Sequence, residues 1–456
     1  MKKRIFLSLA LCLLFICAGA QAVTPGSAAE KEMYAEKVKT AFRKAWNAYK
    51  EYAWGLDAVN PISKKGHNWY AEPLLMTPVD AYSTMCIMGL EKEKNEAKEL
   101  IFSQLNFDKD LEIQQFEIAI RIMGGLLSAY QLDGDSRFLA LAEDLAKRMM
   151  PVFESPTGMP YRLVNLRTGA VRGEITNPCE VGSMLLEYGM LSKLTGKPEY
   201  YEKCKKGVVA VYERRAPKTN LVGTNINVET GEWTNKDAHL SGCIDAYYEY
   251  LLKGWLLFGD KDLKKMWNTC KKGIEKYLAD DHENGFWYGH ADMETGKRTS
   301  TVFGALDCFY GACLCLDKNI KDARKLQASI NRMWNMHGLE PELVDYNNMS
   351  VISPYYMARP EAIEANYYLW HYTKDPQYYE MGKTMFDAIE KHCQTDNGYV
   401  QISDVRTMDK WDTLESFFFA ETLKYCYLYF APEEAFSLDK CVLNTEAHPF
   451  FKTWID

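Results

Sequence analysis

The sequence lacks the short motifs that mark several large classes of enzyme. It has no G-x-S-x-G elbow, no G-x-x-x-x-G-K-[ST] loop, no G-x-G-x-x-G turn and no H-E-x-x-H pair. These absences argue against α/β-type serine hydrolases, P-loop nucleotidases, dinucleotide-dependent dehydrogenases and zincin metalloproteases. Histidine is also scarce, with 8 in 456 residues. No two histidines stand at metal-ligand spacing along the chain, so we expect most of them to have no metal-binding role.

Basic charge is in deficit. The chain has 54 Lys and Arg against 62 Asp and Glu, and its formal net charge is −8. Loss of Lys2, Lys3 and Arg4 with a leader would change −8 to −11. An acidic protein is a poor binder of nucleic acid or of anionic membranes, so we expect neither as a partner.

Long apolar runs are absent except at the N-terminus. There, a basic start precedes the apolar run Ile5–Cys17 and the small residues of "AGAQA". The run is shorter than the roughly 20 residues that a membrane helix needs, and the pattern is typical of a cleaved secretion signal. We predict a signal peptide at residues 1–22, a periplasmic or secreted protein, and no membrane insertion. No Pro/Gly/Ser linker divides residues 23–456, so we predict one domain, and we expect a monomer.

Paired cysteine motifs are absent as well. Of 13 cysteines, Cys12 and Cys17 lie in the predicted signal, which leaves 11. That number is odd, the spacing is irregular, and there is no C-x-x-C. We therefore expect buried free thiols rather than a disulfide framework.

Helical periodicity dominates the remaining chain. Four segments have the pattern of two amphipathic helices joined by a short turn that contains Gly or Asp; they are residues 116–150, 181–215, 245–278 and 361–393. Four return segments instead alternate apolar and polar residues around a turn, as β-hairpins do; they are residues 161–171, 224–233, 288–298 and 399–411.

The two patterns repeat together about every sixty residues, a period typical of repeat architectures. The 434 residues left after the predicted signal (456 − 22) would hold roughly seven such units. An open solenoid and a closed ring both fit helical hairpins. The hairpin strands after alternate helices would gather at one end, which favours an all-α fold with small β-hairpins, an (α/α)7 barrel.

Several acidic residues stand on otherwise apolar helical faces. The pairs that share a face or a turn are Glu117 with Arg121, Asp245 with Glu249, Glu361 with Glu364, and Phe417 with Glu421. Each pair alone is a weak signal; a Glu–Arg pair at this spacing is usually solvated, but the nearly all-apolar helix around Glu117 and Arg121 favours burial. In a barrel, however, acids from different repeats would converge on the axis, where unpaired carboxylates are costly. Such a cluster suits Ca²⁺, or glycoside hydrolysis by two carboxylates.

Eight segments carry a specific resemblance to a known family. They are "TPVDAYSTMCIMGL", "FEIAIRIMGGLLSAY", "TGMPYRLVNLRTG", "EVGSMLLEYGMLSKLTGKPEYY", "DAYYEYLLKGW", "ARPEAIEANYYLW", "DTLESFFFAETLKYCYLYF" and "VLNTEAHP". In this order the chain resembles glycoside hydrolase family 47, the class I α-mannosidases. The resemblance implies a seven-hairpin (α/α) barrel, in agreement with the repeat count.

The resemblance also implies a Ca²⁺ cofactor. Thr445 of "NTEAHP" matches the residue that binds the ion directly, through its hydroxyl and its backbone carbonyl. Glu361, Glu421 and Glu446 match the carboxylates that hold the ion through water. The C-terminal segment is then expected to plug the barrel.

Catalytic and binding roles follow from the same resemblance. The family inverts configuration, and Glu361 matches its proposed base. Glu117 and Asp245 both match proposed acids, and we favour Glu117. The positions that match sugar-contacting or charge-balancing residues are Arg121, Arg359, Glu364, Phe417 and Glu421, with Phe417 packing on the innermost mannose.

Three positions depart from the family pattern. Cys243 replaces an Arg, Ala305 replaces a His, and Ser83 replaces an acid. The resemblance implies an exported, Ca²⁺-dependent inverting α-mannosidase that trims terminal, α-1,2-linked mannose from high-mannose glycans or glycoproteins. The departures motivate an alternative: a catalytically impaired, lectin-like protein that binds mannose glycans. A different (α/α)-barrel enzyme, such as an epimerase or uronidase, is a third possibility, against which the "NTEAHP" ending argues.

Overall fold

The computed structural model describes residues 26–432 and 434–454. The predicted signal peptide at residues 1–22 lies outside this part of the chain. Within it, fourteen helices alternate between an outer and an inner position. The outer helices are α1 (Ala28–Tyr52), α3 (Glu91–Gln104), α5 (Ser136–Met149), α7 (Glu199–Glu213), α9 (Lys261–Gly273), α11 (Ile320–Asn335) and α13 (Pro376–Cys393).

Several inner helices are built from two or three consecutive segments. The inner helices are α2 (Met76–Met88), α4 (Gln115–Ile118, Ala119–Met123, Gly124–Asp133), α6 (Pro178–Gly182, Leu185–Thr195), α8 (Asp245–Phe258), α10 (Leu306–Phe309, Tyr310–Leu316), α12 (Glu361–Thr373) and α14 (Phe418–Thr422, Leu423–Leu428). Three short helical segments lie outside the two rings: Met150–Phe153, Ile274–Leu278 and Leu438–Lys440.

The inner helices form a closed ring. Each one packs against the next in chain order, and α14 returns to pack against α2. The outer helices pack on the inner ring, with α1 on α14, and some contact two inner helices, as α11 does with α10 and α12. The predicted (α/α)7 barrel is therefore confirmed.

Burial explains why the outer and inner helices have different sequence patterns. In the outer helix α9 the buried positions Leu263, Met266, Trp267 and Cys270 follow a single helical stripe. In the inner helix α8 every residue from Ala246 to Gly254 is buried. An inner helix contacts neighbours on all sides, so its sequence is apolar around the whole circumference.

Short turns join each of the first six inner helices to the outer helix that follows it. Gly259 ends α8 with a left-handed φ of 71°, which glycine adopts without strain. Asp260 then begins α9, and its side chain accepts hydrogen bonds from the backbone N–H groups of Asp262 and Leu263. The same Gly–Asp pair, Gly134 and Asp135, joins α4 to α5. These turns match the predicted helical hairpins.

The longer outer-to-inner connections contain most of the strands. In chain order the strands are β1 (Ala58–Asn60), β2 (Lys65–His67), β3 (Glu112–Gln114), β4 (Leu163–Asn165), β5 (Val171–Arg172), β6 (Ile175–Thr176), β7 (Asn225–Asn227), β8 (Trp233–Asn235), β9 (Asp237–Ala238), β10 (Ala279–His282), β11 (Gly285–Tyr288), β12 (His290–Asp292), β13 (Arg298–Ser300), β14 (Val302–Gly304), β15 (Leu343–Asp345), β16 (Ser350–Ser353), β17 (Gln394–Thr395), β18 (Gly398–Tyr399), β19 (Gln401–Asp404), β20 (Asp409–Trp411), β21 (Cys441–Leu443) and β22 (Pro449–Phe451).

All of the paired strands are antiparallel, in sheets of two or three strands across the described residues. The four predicted hairpins are present as β4–β5, β7–β8, β12–β13 and β19–β20. Because successive helices of the rings run in opposite directions, these connections meet at one mouth of the barrel. That mouth carries the starts of the inner helices.

The C-terminal segment enters the barrel between β21 and β22. Asn444 holds it there: the Asn444 side-chain amide donates to the Ile120 carbonyl (3.0 Å) and to the Glu187 carboxyl (2.8 Å). Its carbonyl oxygen accepts from the backbone N–H groups of Glu446 and His448 at 3.0 and 2.7 Å. Gly124 makes room for this contact, since a Cβ there would lie 2.7 Å from Asn444 Nδ2.

All 11 cysteines in the described part of the chain are free thiols, as expected, and eight of them are buried. Among the same residues, none of the helices has the length and apolar character needed to cross a bilayer.

Candidate active site

One cavity of about 290 Å³ lies inside the inner ring. Every residue that the sequence predicted for the site lines it, namely Glu117, Arg121, Asp245, Arg359, Glu361, Glu364, Phe417, Glu421, Thr445 and Glu446. These residues come from five parts of the chain that are far apart in sequence. Their convergence is an observation of the structure, and their individual roles stay predictions.

Helix α4 contributes Glu117 and Arg121. Its segment Ala119–Met123 is π-helical, a distortion that often accompanies functional sites. Arg121 Nε donates to Glu117 Oε2 at 3.0 Å, and its Nη1 donates to Glu446 Oε1. Arg121 is buried, whereas the Glu117 side chain is 25% exposed. Arg121 therefore links the accessible Glu117 to the buried Glu446.

The start of α12 presents Arg359, Glu361 and Glu364. Arg359 forms a bidentate ion pair with Glu342, with contacts of 2.8 and 3.1 Å. Glu361 is the first residue of α12, where the helix dipole favours a negative charge. The Tyr425 hydroxyl donates to Glu364 Oε1 at 3.0 Å.

Helix α14 begins beside Phe417 and carries Glu421. Two cations lie near the Phe417 ring: the guanidinium of Arg121 is 5.7 Å from the ring centroid and that of Arg359 is 5.9 Å away. This fixes an apolar ring face in an otherwise charged cavity. Glu421 is in a second π-helical segment, Phe418–Thr422.

Asp245 begins α8. Its Oδ1 accepts from the backbone N–H of Ala246 at 2.8 Å. Two cysteines line the cavity beside it: Cys179 is buried and Cys243, which replaces the family's Arg, is exposed. Ala305, the second departure, is buried.

Ser83, the third departure, belongs to a buried polar cluster behind the cavity. Lys424 Nζ donates to Ser83 Oγ at 3.0 Å and also to the Ala447 carbonyl. His448 Nε2 pairs with Asp80 Oδ1 at 3.2 Å. The cluster fixes the far side of the turn that contains Thr445.

Thr445 lies in the turn that Asn444 holds. Its backbone N–H donates to the Tyr250 hydroxyl at 3.2 Å. Neither the hydroxyl nor the carbonyl oxygen of Thr445 has a hydrogen bond to another described residue. Both oxygens thus remain available at the cavity wall.

Strained backbone accompanies three of these segments. Cys243, Ala358 and Ala447 have left-handed φ values of 79°, 60° and 55° although none is glycine. Cys243 lies two residues before Asp245, Ala358 three residues before Glu361, and Ala447 two residues after Thr445. Such strain is typical of sites that need one exact geometry, and tertiary contacts maintain it. At Ala358 the Thr422 hydroxyl donates to the backbone carbonyl at 2.7 Å.

Negative charge dominates the cavity: seven of its lining residues are acidic and two are arginines. Burial raises the pKa of Asp245 to about 7 and that of Glu361 to about 8. Burial and the neighbouring carboxylates also raise the pKa values of Glu421 and Glu364, and burial raises that of Glu446. These acids resist ionisation together unless a cation balances them.

A hard cation fits this donor set. Glu361 Oε2 is buried without a hydrogen-bond partner, and the two oxygens of Thr445 lack protein partners as well. All of the available donors are oxygens, which Ca²⁺ prefers. The residues predicted for the ion therefore lie where an ion would relieve both the unpaired oxygens and the excess charge.

Sequence reasoning missed the charge partners of the site. Lys253 pairs with Glu249, and its Nζ lies 4.0 Å from Glu364 Oε1. Lys253 stands four residues after Glu249 in an apolar helix, so its spacing could have revealed it. Glu342, the partner of Arg359, is 17 residues away in sequence, and no local pattern identifies it.

A closed (α/α)7 barrel with a sugar-sized, acid-lined cavity is the architecture of a carbohydrate-active enzyme. The comparisons with known proteins agree: the sequence profile of glycosyl hydrolase family 47 matches residues 41–452. The chain belongs to this family and is a glycoside hydrolase.

Individual relatives span most of the chain. Mannosyl-oligosaccharide 1,2-alpha-mannosidase MNS1 of Arabidopsis thaliana is 35% identical over 439 residues, covering 91% of this chain and 78% of the relative. Mannosyl-oligosaccharide 1,2-alpha-mannosidase IA of Sus scrofa is 34% identical, with 93% and 68% covered. The solved structure of an alpha-1,2-mannosidase from Trichoderma reesei superimposes with a TM-score of 0.85 at 28% identity, covering 92% of this chain and 99% of that one.

Glu187 behind the cavity gives a testable pH dependence. It accepts hydrogen bonds from Asn444 and Tyr250 at 2.8 Å each, and burial raises its pKa to about 8. The folded protein therefore keeps a proton that the unfolded chain releases near pH 4.5. Its contribution to stability is complete below about pH 4.5 and is lost as the pH rises through about 8.

We expect the wild type to lose stability relative to Glu187→Gln as the pH rises from about 5 to about 8. The difference should reach at most about 1.4 kcal/mol per pH unit. Urea unfolding of both proteins at several pH values measures it. Parallel stability curves would contradict the assignment of a buried, protonated Glu187.

Proposed function

We propose that the protein is a Ca²⁺-dependent, inverting α-mannosidase that removes terminal α-1,2-linked mannose from high-mannose glycans. The observation that carries the proposal is the convergence of all ten predicted residues on one cavity of family 47 architecture. The names of the relatives supply the sugar and the linkage. The N-terminal signal pattern supports action in the periplasm or outside the cell.

Thr445 would hold Ca²⁺ directly, and Glu361, Glu421 and Glu446 would hold it through water. When bound, the ion would balance the negative charge of the cavity and attract sugar hydroxyls. Phe417 offers an apolar face to the sugar ring. Arg121 and Arg359 lie near that ring and keep their carboxylate partners, Glu117 and Glu342, oriented.

Glu361 is the proposed base. Its place at the start of α12 and the nearby Arg359 favour the ionised form, in opposition to burial. A water that loses a proton to Glu361 would attack the anomeric carbon, and an acid on the opposite face would protonate the leaving oxygen.

Glu117 and Asp245 remain the two candidates for the acid. The Glu117 side chain is 25% exposed at the cavity and forms an ion pair with Arg121. Burial raises the pKa of Asp245 to about 7, which suits a group that must hold a proton near neutral pH.

The lectin-like alternative is not favoured. The three candidate catalytic acids are all retained and all line the cavity, which a pure binding protein would not require. The family match also argues against an epimerase or uronidase.

The proposal is tested by incubation with a high-mannose glycan, with and without a chelator. Without the chelator we expect release of mannose. With the chelator we expect this release to stop and the melting temperature to fall, and addition of Ca²⁺ should restore both. Mannose release that is unaffected by the chelator would refute the metal assignment. Glycan binding without release in Ca²⁺ would support the lectin instead.

Substitutions separate the roles of the acids. Glu361→Gln should reduce turnover by at least about 10²–10⁴-fold, the usual contribution of a general base, while glycan binding is largely kept. The substitution at the true acid, Glu117→Gln or Asp245→Asn, should be severe on glycans and milder on an activated aryl mannoside, which departs without protonation. Glu154→Gln on the surface is the matched control.

Near wild-type rates in all three cavity variants would exclude these carboxylates as the catalytic set. Proton NMR of the first product tests the stereochemistry, for which we expect β-mannose. An initial α product would contradict inversion.

A further inference from the structure

A second group of ligand-type side chains lies outside the cavity. Asp237, His239 and His290 each offer a ligand atom, and these atoms lie within 4.8 Å of one another. Strand β12 pairs with β9, opposing Ala291 to Ala238 and Asp292 to Asp237, and this brings the three residues together. The two histidines are far apart in the chain, so their spacing in the sequence gave no sign of this group.

The group is held in place by its neighbours. The imidazole rings of His239 and His290 stack with centroids 4.6 Å apart. His290 Nδ1 lies 2.7 Å from Asp237 Oδ2, and the Thr299 hydroxyl donates to Asp237 Oδ1 at 2.7 Å. The Asp237 carboxylate thus lies against one histidine and is itself positioned by the Thr299 hydroxyl, as hydrogen bonds from surrounding groups position the ligands of metal sites.

Hydrogen bonding assigns the free nitrogen of His239. The single hydroxyl proton of Thr224 is donated to the Asp237 carbonyl at 2.7 Å. The 3.1 Å contact between Thr224 Oγ1 and His239 Nε2 therefore needs the proton of the imidazole. His239 Nδ1 is left with its lone pair, and this buried atom has no hydrogen-bond partner. An unpartnered nitrogen on a residue that is only 7% exposed is a candidate metal ligand.

We propose that Asp237, His239 and His290 bind a divalent transition metal ion of the Zn²⁺ type. Two imidazole nitrogens and one carboxylate oxygen form a donor set that suits Zn²⁺ and its neighbours, whereas Ca²⁺ takes oxygen donors. Asp237 and His290 are partly exposed, with 32% and 18% of their side chains accessible, so an ion can enter from solvent and keep a water ligand.

The site lies on the segment that leads to Asp245. His239 follows β9, and the residues after it run through Ser241, whose carbonyl accepts from the Asp245 backbone N–H at 3.2 Å, into α8. A metal bound to His239 and His290 would fasten this connection to the β-sheet. The ion would act as a positioning element for Asp245 and Cys243, without contact with the sugar.

For the test, the full-length protein is first stripped of metal ions and then supplied with saturating Ca²⁺. The Ca²⁺ occupies sites with oxygen ligands before Zn²⁺ is added. Calorimetric titration with Zn²⁺ should give one ion per chain and a higher melting temperature. Co²⁺ in its place should give d–d absorption bands of nitrogen-containing ligation. His239→Ala and His290→Ala should each abolish both signals, and Thr224→Val should weaken Zn²⁺ binding by about 10–100-fold.

Two controls locate the ion. His337→Ala removes a histidine elsewhere, and Thr445→Ala alters the cavity; both should bind Zn²⁺ as the wild type does. The proposal is overturned if the wild type shows no stoichiometric Zn²⁺ site. It is also overturned if the Zn²⁺ site persists in His239→Ala and His290→Ala. If those variants fail to fold, the Co²⁺ spectrum of the wild type decides: bands typical of oxygen ligation alone would also overturn it.

Discussion

Uncompensated negative charge in a closed space is the constraint on which the rest of this structure depends. Seven carboxyl groups and only two guanidinium groups face one cavity inside the inner helical ring. Most of these groups are on inner helices, which have no solvent face, so a polar residue on the axial side of such a helix points into the barrel; Glu446 comes instead from the C-terminal turn and Arg359 from the segment before α12. Burial then raises the pKa values of these acids, and their mutual repulsion adds to it at Glu421 and Glu364.

The protein meets this constraint in several ways. Arg121 links Glu117 to Glu446, Arg359 binds Glu342 in a bidentate pair, and Lys253 neutralises Glu249. The π-helical turns in α4 and α14 accompany the charged positions. What these contacts leave unpaired, including Glu361 Oε2 and the oxygens of Thr445, is the donor set that a hard cation would complete.

The C-terminal turn joins the fold to the site. Asn444 bonds to α4, to Glu187 on α6 and to its own turn, so the same side chain seals the barrel and orients Thr445. The polar stretch after the last apolar helix therefore has a structural reason as well as a chemical one. Gly124 is part of that reason, because a side chain there would meet Asn444.

Local sequence patterns predicted the parts of the structure that local physics determines. The Gly259–Asp260 turn identifies a helix end and a helix start, and the repeat count gave the seven units of the ring. Acids on apolar helical faces already pointed to Glu361 and to convergence on the barrel axis, whereas Thr445 was located only by the family resemblance. The Arg359–Glu342 pair and the approach of His239 to His290 depend on how distant strands and loops align, which no short-range pattern contains.

The account is tested most directly by a crystal structure of the protein grown with Ca²⁺ and mannose, with anomalous data collected to identify the ion. We predict one Ca²⁺ at the Thr445 end of the cavity, about 2.3–2.6 Å from both the hydroxyl and the carbonyl oxygen of Thr445. Its water ligands should contact Glu361, Glu421 and Glu446. A cavity without an ion, or an ion bound away from Thr445, would contradict the claim that a cation balances the charge of this site.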